Sequence, residues 1–322
     1  MKLGLRELFS DAMATVSGKF RTADLSLFHK FEPPPAGGGH QFMRALWRYA
    51  EHNGLRVENN VVSRTTRACL FNAFNFDRRR LKWSQKNSTL YVHRVDGPVS
   101  IIRGQDEGID NWIKEVNHEF ADKTILQSRY SLQKYLEMGI EFRNPVLVLN
   151  AADPNIFNHT NRIQYDLNRK IRIIATSWSA NTNKGAQVYS WLDEHLDWRR
   201  YEFTFVGNSP ITFRNIKQIP PVASVELAQI LKNHDIYITA SRNDPCSNSL
   251  IEALTCGLPA IYLNSGGHPE IVGSAGLAFD VAEEIPNLLE KLTENYSAYA
   301  ANINLPGMSE ITRQYLKILE VI

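Results

Sequence analysis

From about residue 24 to its end, the chain alternates short apolar runs with amphipathic runs, and this alternation limits the fold more than any other feature. Asp24–Phe31, Leu55–Val61, Ala68–Phe74, Thr89–Val95, Lys123–Gln127 and Val146–Leu149 read as strands in the first half. His40–His52, Glu107–Phe120 and Tyr130–Met138 read as helices between them. In the second half the strands are Arg172–Thr176, Tyr201–Val206, Ile236–Thr239, Ala260–Leu263 and Leu277–Phe279. The helices there are Gly185–Leu196, Ser224–Asn233, Ser249–Cys256 and Glu283–Glu294. Repeated strand–helix units predict parallel sheets with helices on both faces. The polar segment Asn150–Gln164 interrupts the pattern and reads as a linker. The expected fold class is therefore α/β, with two open domains facing each other across a cleft: residues 1–158, carrying an extra N-terminal helix, and residues 159–305. Residues 306–322 follow a Pro306–Gly307 break and are expected to form a last helix that crosses back to the first domain.

Composition excludes several classes. The 322 residues, 43% hydrophobic and 22% charged, suit two globular domains of ordinary size. A net charge of +2 requires no nucleic-acid partner. Residues 1–160 hold 22 Lys+Arg against 17 Asp+Glu, and residues 161–322 hold 14 against 17. The basic first half reads as solvated surface, with an anionic acceptor or acidic membrane surface as the minority reading. The run Arg78–Lys82 is read in the same way, as charged loop. Three cysteines, Cys69, Cys246 and Cys256, form neither a disulfide framework nor a metal-binding spacing. No metal site and no cofactor is expected, and a reducing, cytoplasmic setting is the default. No apolar run approaches the roughly 20 residues of a spanning helix. Charges interrupt the first 20 residues, so they do not read as a signal peptide; Leu5, Leu8, Phe9, Ala12, Met13 and Val16 predict an amphipathic helix there. Peripheral contact with a membrane is its alternative to packing on its own domain, and the oligomeric state is left open.

The stretch Ser241–Val272, SRNDPCSNSLIEALTCGLPAIYLNSGGHPEIV, carries the strongest chemical signal. It follows a predicted buried strand, and Asp244 and Glu252 stand eight residues apart within it. Ser249-Leu250-Ile251-Glu252 matches a capping box, so a helix should start there and end at Gly257 and Pro259. Free N–H groups at such a start, around Ser247, Asn248, Ser249 and Leu250, can bind phosphate oxygens. Glu252 could accept from ribose hydroxyls or merely complete the capping box, and Asp244 could accept from sugar hydroxyls. Lys184, in Asn-Thr-Asn-Lys-Gly, follows a strand and precedes a helix, where it could neutralise a diphosphate leaving group. A solvated turn lysine is its bland alternative. Gly207-Asn208 and Ser265–Glu270 follow other strands and could approach the same ligand or form ordinary turns. In the first half, Pro33–His40 contains Gly37, Gly38 and Gly39, which permit close backbone approach on the acceptor side of a cleft. The string lacks the G-x-G-x-x-G pattern of dinucleotide binding. His93, Arg94 and Asp96 cluster at the end of a buried strand, where a functional role competes with that of satisfied core groups.

Together these residues resemble a retaining glycosyltransferase of the GT-B fold, family 4 type, over most of the chain after about residue 23. Ser241–Val272 is similar to the family's E-x7-E region followed by E-A-x-x-x-G-x-P and G-G-x-P-E, with Asp244 in place of the first glutamate. Lys184-Gly185 resembles the diphosphate-binding K-G; Ser179 stands where the family has a companion arginine, a role Arg242 could take. The triple glycine resembles the N-terminal glycine loop, Asn150–Asp153 the N-G-V-D segment before the linker, and His93–Asp96 the H-D type loop.

The resemblance implies two Rossmann-like domains and transfer of a hexosyl group from a nucleotide-diphosphate sugar, with retention and without a metal, to a hydroxyl of a carbohydrate, lipid-linked or other acceptor. His93, Asp96, Lys184 and Asp244 are then the catalytic candidates. Gly207, Asn208, Ser247, Asn248, Ser249, Leu250 and Glu252 would hold the donor, and Gly37–Gly39 would shape the acceptor side. No side chain reads as a covalent nucleophile, so a front-face path fits better than a two-carboxylate scheme. The alternatives are a GT-B sugar-nucleotide epimerase and a non-catalytic subunit that binds a sugar nucleotide or a partner transferase.

Overall fold

The computed structural model describes residues 22–33 and 38–322, so the expected first helix and Pro34–Gly37 lie outside the described residues. Two parallel six-stranded sheets confirm the α/β class and its two Rossmann-like domains. The first sheet is formed by β1 (Leu25–Phe28), β2 (Val57–Asn59), β3 (Ala68–Asn72), β4 (Leu90–Val95), β5 (Lys123–Leu126) and β6 (Pro145–Leu147), in the order β2-β1-β3-β4-β5-β6. The second contains β7 (Ile171–Ser177), β8 (Tyr201–Gly207), β9 (Lys217–Ile219), β10 (Ile236–Thr239), β11 (Ala260–Leu263) and β12 (Gly276–Phe279), in the order β12-β11-β10-β7-β8-β9. The inner strands are buried on both faces, which is why they read as continuous apolar runs rather than alternating ones.

The helices of the first domain are α1 (Gly38–His52), α2 (Arg78–Ser84), α3 (Val99–Arg103), α4 (Ile109–Phe120) and α5 (Arg129–Glu137). Those of the second are α6 (Ala186–His195), α7 (Ser224–Lys232), α8 (Asn248–Thr255), α9 (His268–Val272), α10 (Ile285–Glu294) and α11 (Tyr296–Ala301). The expected charged loop at Arg78–Lys82 is instead helix α2. Asp77 caps it by accepting from the Arg79 and Arg80 amides, Leu81 is buried, and Arg78 and Lys82 both donate to Glu119 on α4. Charge alone suggested a loop because seven residues show too little of the helical period.

The last helix, α12 (Met308–Ile318), returns to the first domain. Met308, Ile311, Tyr315 and Leu316 join Phe42, Met43 and Leu46 of α1 in one core. Each buried aliphatic side chain contributes about 1.5–3 kcal/mol, enough together to hold this crossing. Arg67 donates to the Val321 carbonyl and Lys123 to Glu320, which fasten its end.

The segment Asn150–Gln164 is not a loose polar linker. Asn150, Asp153 and Phe157 are buried, and Arg48 on α1 pairs with Asp153. Asn150, Asp153 and Asn158 are spent on internal partners, which composition cannot reveal.

Candidate active site

The second sheet runs outward in both directions from the adjacent strands β7 and β10. Loops leaving the carboxyl ends of such a pair diverge and open a crevice. Lys184 arrives on the loop after β7 and Asp244 on the loop after β10. A short 3₁₀ turn, Thr182–Lys184, capped by Asn181, aims the lysine, and α6 starts directly behind it. Lys184 Nζ donates to Asp244 Oδ2 at 2.8 Å. Burial by itself would raise the Asp244 pKa, but the Lys184 ammonium, together with His268 and the Cys246 amide, holds it below the usual carboxylate range.

The turn Ser265–Gly267 packs behind this loop. Gly267 N–H donates to the Asp244 carbonyl at 2.8 Å, and Asn243 N–H donates to Ser265 Oγ at 2.9 Å. The turn therefore shapes the Asp244 loop. Asn243 itself has a positive φ of 56°. Arg242, next in line, projects an exposed side chain.

Glu252 lies on α8, one turn from its start. The expected capping box does not form. Ser247, not Ser249, is the N-cap, and its Oγ accepts from Leu250 N–H at 3.4 Å. The Glu252 carboxylate has no hydrogen bond or ion pair among the described residues. Burial with no compensating charge pushes its pKa up to about 8. It faces a narrow pocket between the two domains, shared with Gly38, Gln41, Phe42, Asp153 and Asn248.

The other donor-side candidates take different places. Ser249 Oγ lies 3.1 Å from Ser247 Oγ, and Asn248 Oδ1 accepts from Asn150 Nδ2 at 3.0 Å across the cleft. The Leu250 side chain is packed in the core of the second domain, and its amide donates to Ser247 Oγ. Gly207 ends β8, where a Cβ would stand 1.8 Å from the Ser177 carbonyl oxygen, so only glycine fits. Asn208 follows it, exposed, donating to the Trp178 carbonyl at 2.6 Å. Ser179, at the expected arginine's place, is exposed and accepts from Asn181 N–H.

On the first domain, Gly38 begins α1 so close to α8 that a Cβ would stand 2.5 Å from Asn248 Cβ. Gly39 meets open space, and Gly37 lies outside the described residues. His93 and Asp96 are separated by the pleat. His93 is fully buried, stacked on Phe71, with its ring nitrogens at Ala73 O (2.9 Å) and Asn117 Nδ2 (3.2 Å). Burial drives its pKa down to about 4. This corrects the expectation of a reacting group: His93 is a satisfied core residue, because β4 is an inner strand covered on both faces. Asp96 lies beyond the strand end, partly exposed, and accepts from Arg94 at 2.9 Å and Gln127 at 2.7 Å.

Arg94 is fully buried, yet its guanidinium meets Asn72 Oδ1 (2.6 Å), Asp96, Asn150 Oδ1 (3.0 Å), Tyr315 OH (3.2 Å) and the Phe42 ring. Burial alone would lower its pKa; Asp96 and Tyr315 more than offset this. One side chain thus ties β4, the linker and α12 together, and through Asn150 reaches Asn248.

Two sets of contacts escaped the sequence reading. His29, at the end of β1, contacts His40 of α1 at 3.0 Å. Glu270 accepts from the amides of Arg129 and Tyr130 at 2.9 Å each, capping α5 from the opposite domain, while Tyr130 OH donates to Asn243 Oδ1 at 2.9 Å. The only sequence signal was position: each of these residues follows a strand end or opens a helix. Among the described residues no helix is long and apolar enough to cross a membrane, and no three His, Cys, Asp or Glu side chains are grouped to hold a metal.

Comparison with known proteins agrees with this architecture. No curated protein sequence matches the chain. Alr3699/HepE of Anabaena, solved in complex with UDP and glucose, superposes with a TM-score of 0.70 at 13% identity, over 94% of this chain and all (100%) of that one. Sucrose-phosphate synthase from Thermosynechococcus elongatus gives 0.67 at 14% identity, over 92% and 95% of the two chains. A glycosyltransferase from Rickettsia africae gives 0.65 at 14% identity, over 94% and 99%. Residues 187–295, from α6 through α10, match the family model described as glycosyl transferases group 1, and the two sheets share the GT-B fold of these structures.

Proposed function

We propose that this protein is a retaining, metal-independent glycosyltransferase that moves a hexosyl group from a nucleotide-diphosphate sugar to a hydroxyl acceptor. The observation that carries the reading is the Lys184–Asp244 pair in the crevice after β7 and β10, with the unpartnered Glu252 on the helix that follows. An ammonium beside the crevice suits a diphosphate, and a buried carboxylate without a partner suits a vicinal diol of ribose. The family match over residues 187–295 supports the same assignment, and the UDP and UDP-glucose complexes of HepE make UDP-glucose the first donor to test.

In this reading the donor diphosphate takes Lys184 from Asp244, and Asp244 turns to a hydroxyl of the sugar. Lys184 then stabilises the charge that grows on the departing diphosphate. The bond from the anomeric carbon to the diphosphate oxygen breaks. The acceptor oxygen bonds that carbon on the same face, and its proton passes to the departing phosphate oxygen. Glu252 holds the ribose, and closure of the cleft limits attack by water. Incubation with UDP-glucose and an acceptor panel tests the proposal: a glycoside of retained configuration, formed in the presence of EDTA, is expected. Isomerised donor, or binding without turnover, would replace it with one of the other two readings.

A further inference from the structure

The first sheet has its own divergence of strands, at the pair β1 and β3, and it contains a chain of hydrogen bonds whose direction is dictated by chemistry. The chain starts at Arg94, which can only donate, and does so to Asn72 Oδ1 at 2.6 Å. Asn72, the last residue of β3, therefore turns its NH₂ toward His29 Nδ1, 3.3 Å away. His29 Nδ1 must accept, so a neutral His29 carries its proton on Nε2. That Nε2–H lies 3.0 Å from His40 Nδ1, which must accept in turn. The remaining proton of His40 is then on Nε2, and no described group takes it.

We propose that this relay locks His40 in its Nε2–H form, and that the outward N–H donates to an oxygen of the acceptor substrate bound at the divergence of β1 and β3. The assignment of that oxygen to an acceptor rests on the glycosyltransferase reading; the locked tautomer does not.

Three features support it. His29 is buried, so the relay is shielded from competing water. Protonating either imidazole would set two N–H groups against each other, and both pKa values are lowered, that of His29 to about 3, with burial as the largest cause. The charges facing the pair are Arg94, Asp96, Arg44 and Glu32, of which only the carboxylates favour a cation. Finally, His40 is only partly buried, and Gly38, in the same first turn of α1, lies against Asn248 of the donor-side helix, so this end of α1 borders the cleft.

Long-range ¹H–¹⁵N NMR of the full-length protein tests the lock without any assay of activity. Both rings should show the neutral Nε2–H pattern throughout pH 5.5–8. An Nδ1–H ring at His40, or titration near its ordinary pKa, would overturn the relay. In His29→Phe, which keeps ring volume but removes the donor, His40 should populate both tautomers; retention of a single form would also overturn it. The contact is tested with UDP present and 4-nitrophenyl α- and β-hexosides as probes. A shift of His40 Nε2 on adding a hexoside, absent with UDP alone, is expected, and no shift with any probe would remove the substrate contact. Where a probe turns over, His40→Ala should raise its KM about tenfold and leave the donor KM unchanged, with His40→Gln restoring part of the loss. Equal changes in both KM values would overturn the contact.

Discussion

Lys184 Nζ and Asp244 Oδ2, brought from the loops after β7 and β10, stand 2.8 Å apart, so the cation and the anion proposed for the two halves of the donor are each other's partner. The pair lies between two diverging loops, where a diphosphate can compete for the lysine.

Replacing the lysine should separate its two roles. Lys184→Ala is expected to lower the rate of transfer about 10²- to 10³-fold, the usual cost of losing one transition-state charge partner. It also leaves Asp244 buried without its main cation, so the Asp244 pKa should rise. Calorimetric titration with UDP and steady-state kinetics check both; unchanged kinetics would remove Lys184 from the diphosphate.

Glu252 gives the protein a definite response to pH. Its folded pKa of about 8 is above the ordinary value of 4.5, so the folded state keeps a proton that the unfolded chain has released. Stability from this group is full below pH 4.5 and is lost as pH rises toward 8, by up to about 1.4 kcal/mol per pH unit. Thermal melts at pH 5.5 and 8.0 should show that loss in the wild type and a reduced one in Glu252→Gln. If ribose hydroxyls donate to the ionised carboxylate, UDP binding at neutral pH should release a proton, seen as a buffer-dependent enthalpy.

Arg94 ties three parts of the chain, and its loss should be felt in all of them. Arg94→Met strips donors from Asn72, Asn150 and Tyr315 and is expected to cost about 3–5 kcal/mol, the range for breaking a buried charged network. Tyr315→Phe removes one bond and should cost about 1 kcal/mol. Urea unfolding measures both, and equal small effects would show that apolar packing alone holds α12.

Glu270 reaches across the cleft to cap α5. Glu270→Ala should lower stability by about 1 kcal/mol or less, the usual range for an exposed cap. It should nevertheless increase the radius of gyration of the ligand-free protein, because the two amides lose their partner in the other domain. Small-angle scattering would detect that opening, and an unchanged radius would show that the bonds from Asn183 to the Ile102 carbonyl, from Asn150 to Asn248 and from Tyr130 to Asn243 suffice for closure.

Much of this architecture was legible in the residue order. Strands such as Ile236–Thr239 and Ala260–Leu263 are buried on both faces, so only apolar runs satisfy them, and their helices carry the helical period. The placement of Lys184 and Asp244 at one end of the second sheet was legible too, because a loop that leaves a strand must emerge at the carboxyl end of a parallel sheet. Local order could not decide what each side chain meets. His93 and Asp96 look equivalent in the sequence, yet the pleat and strand end place one in the core and the other at the rim. Ser249 and Glu252 fit a capping box, but the helix is capped two residues earlier, by Ser247. The His29–His40, Arg94–Tyr315 and Glu270–Arg129 contacts join residues 11 to 221 positions apart. Such partners are chosen by packing of whole elements, and pairing between distant residues leaves no periodicity for a single sequence to show.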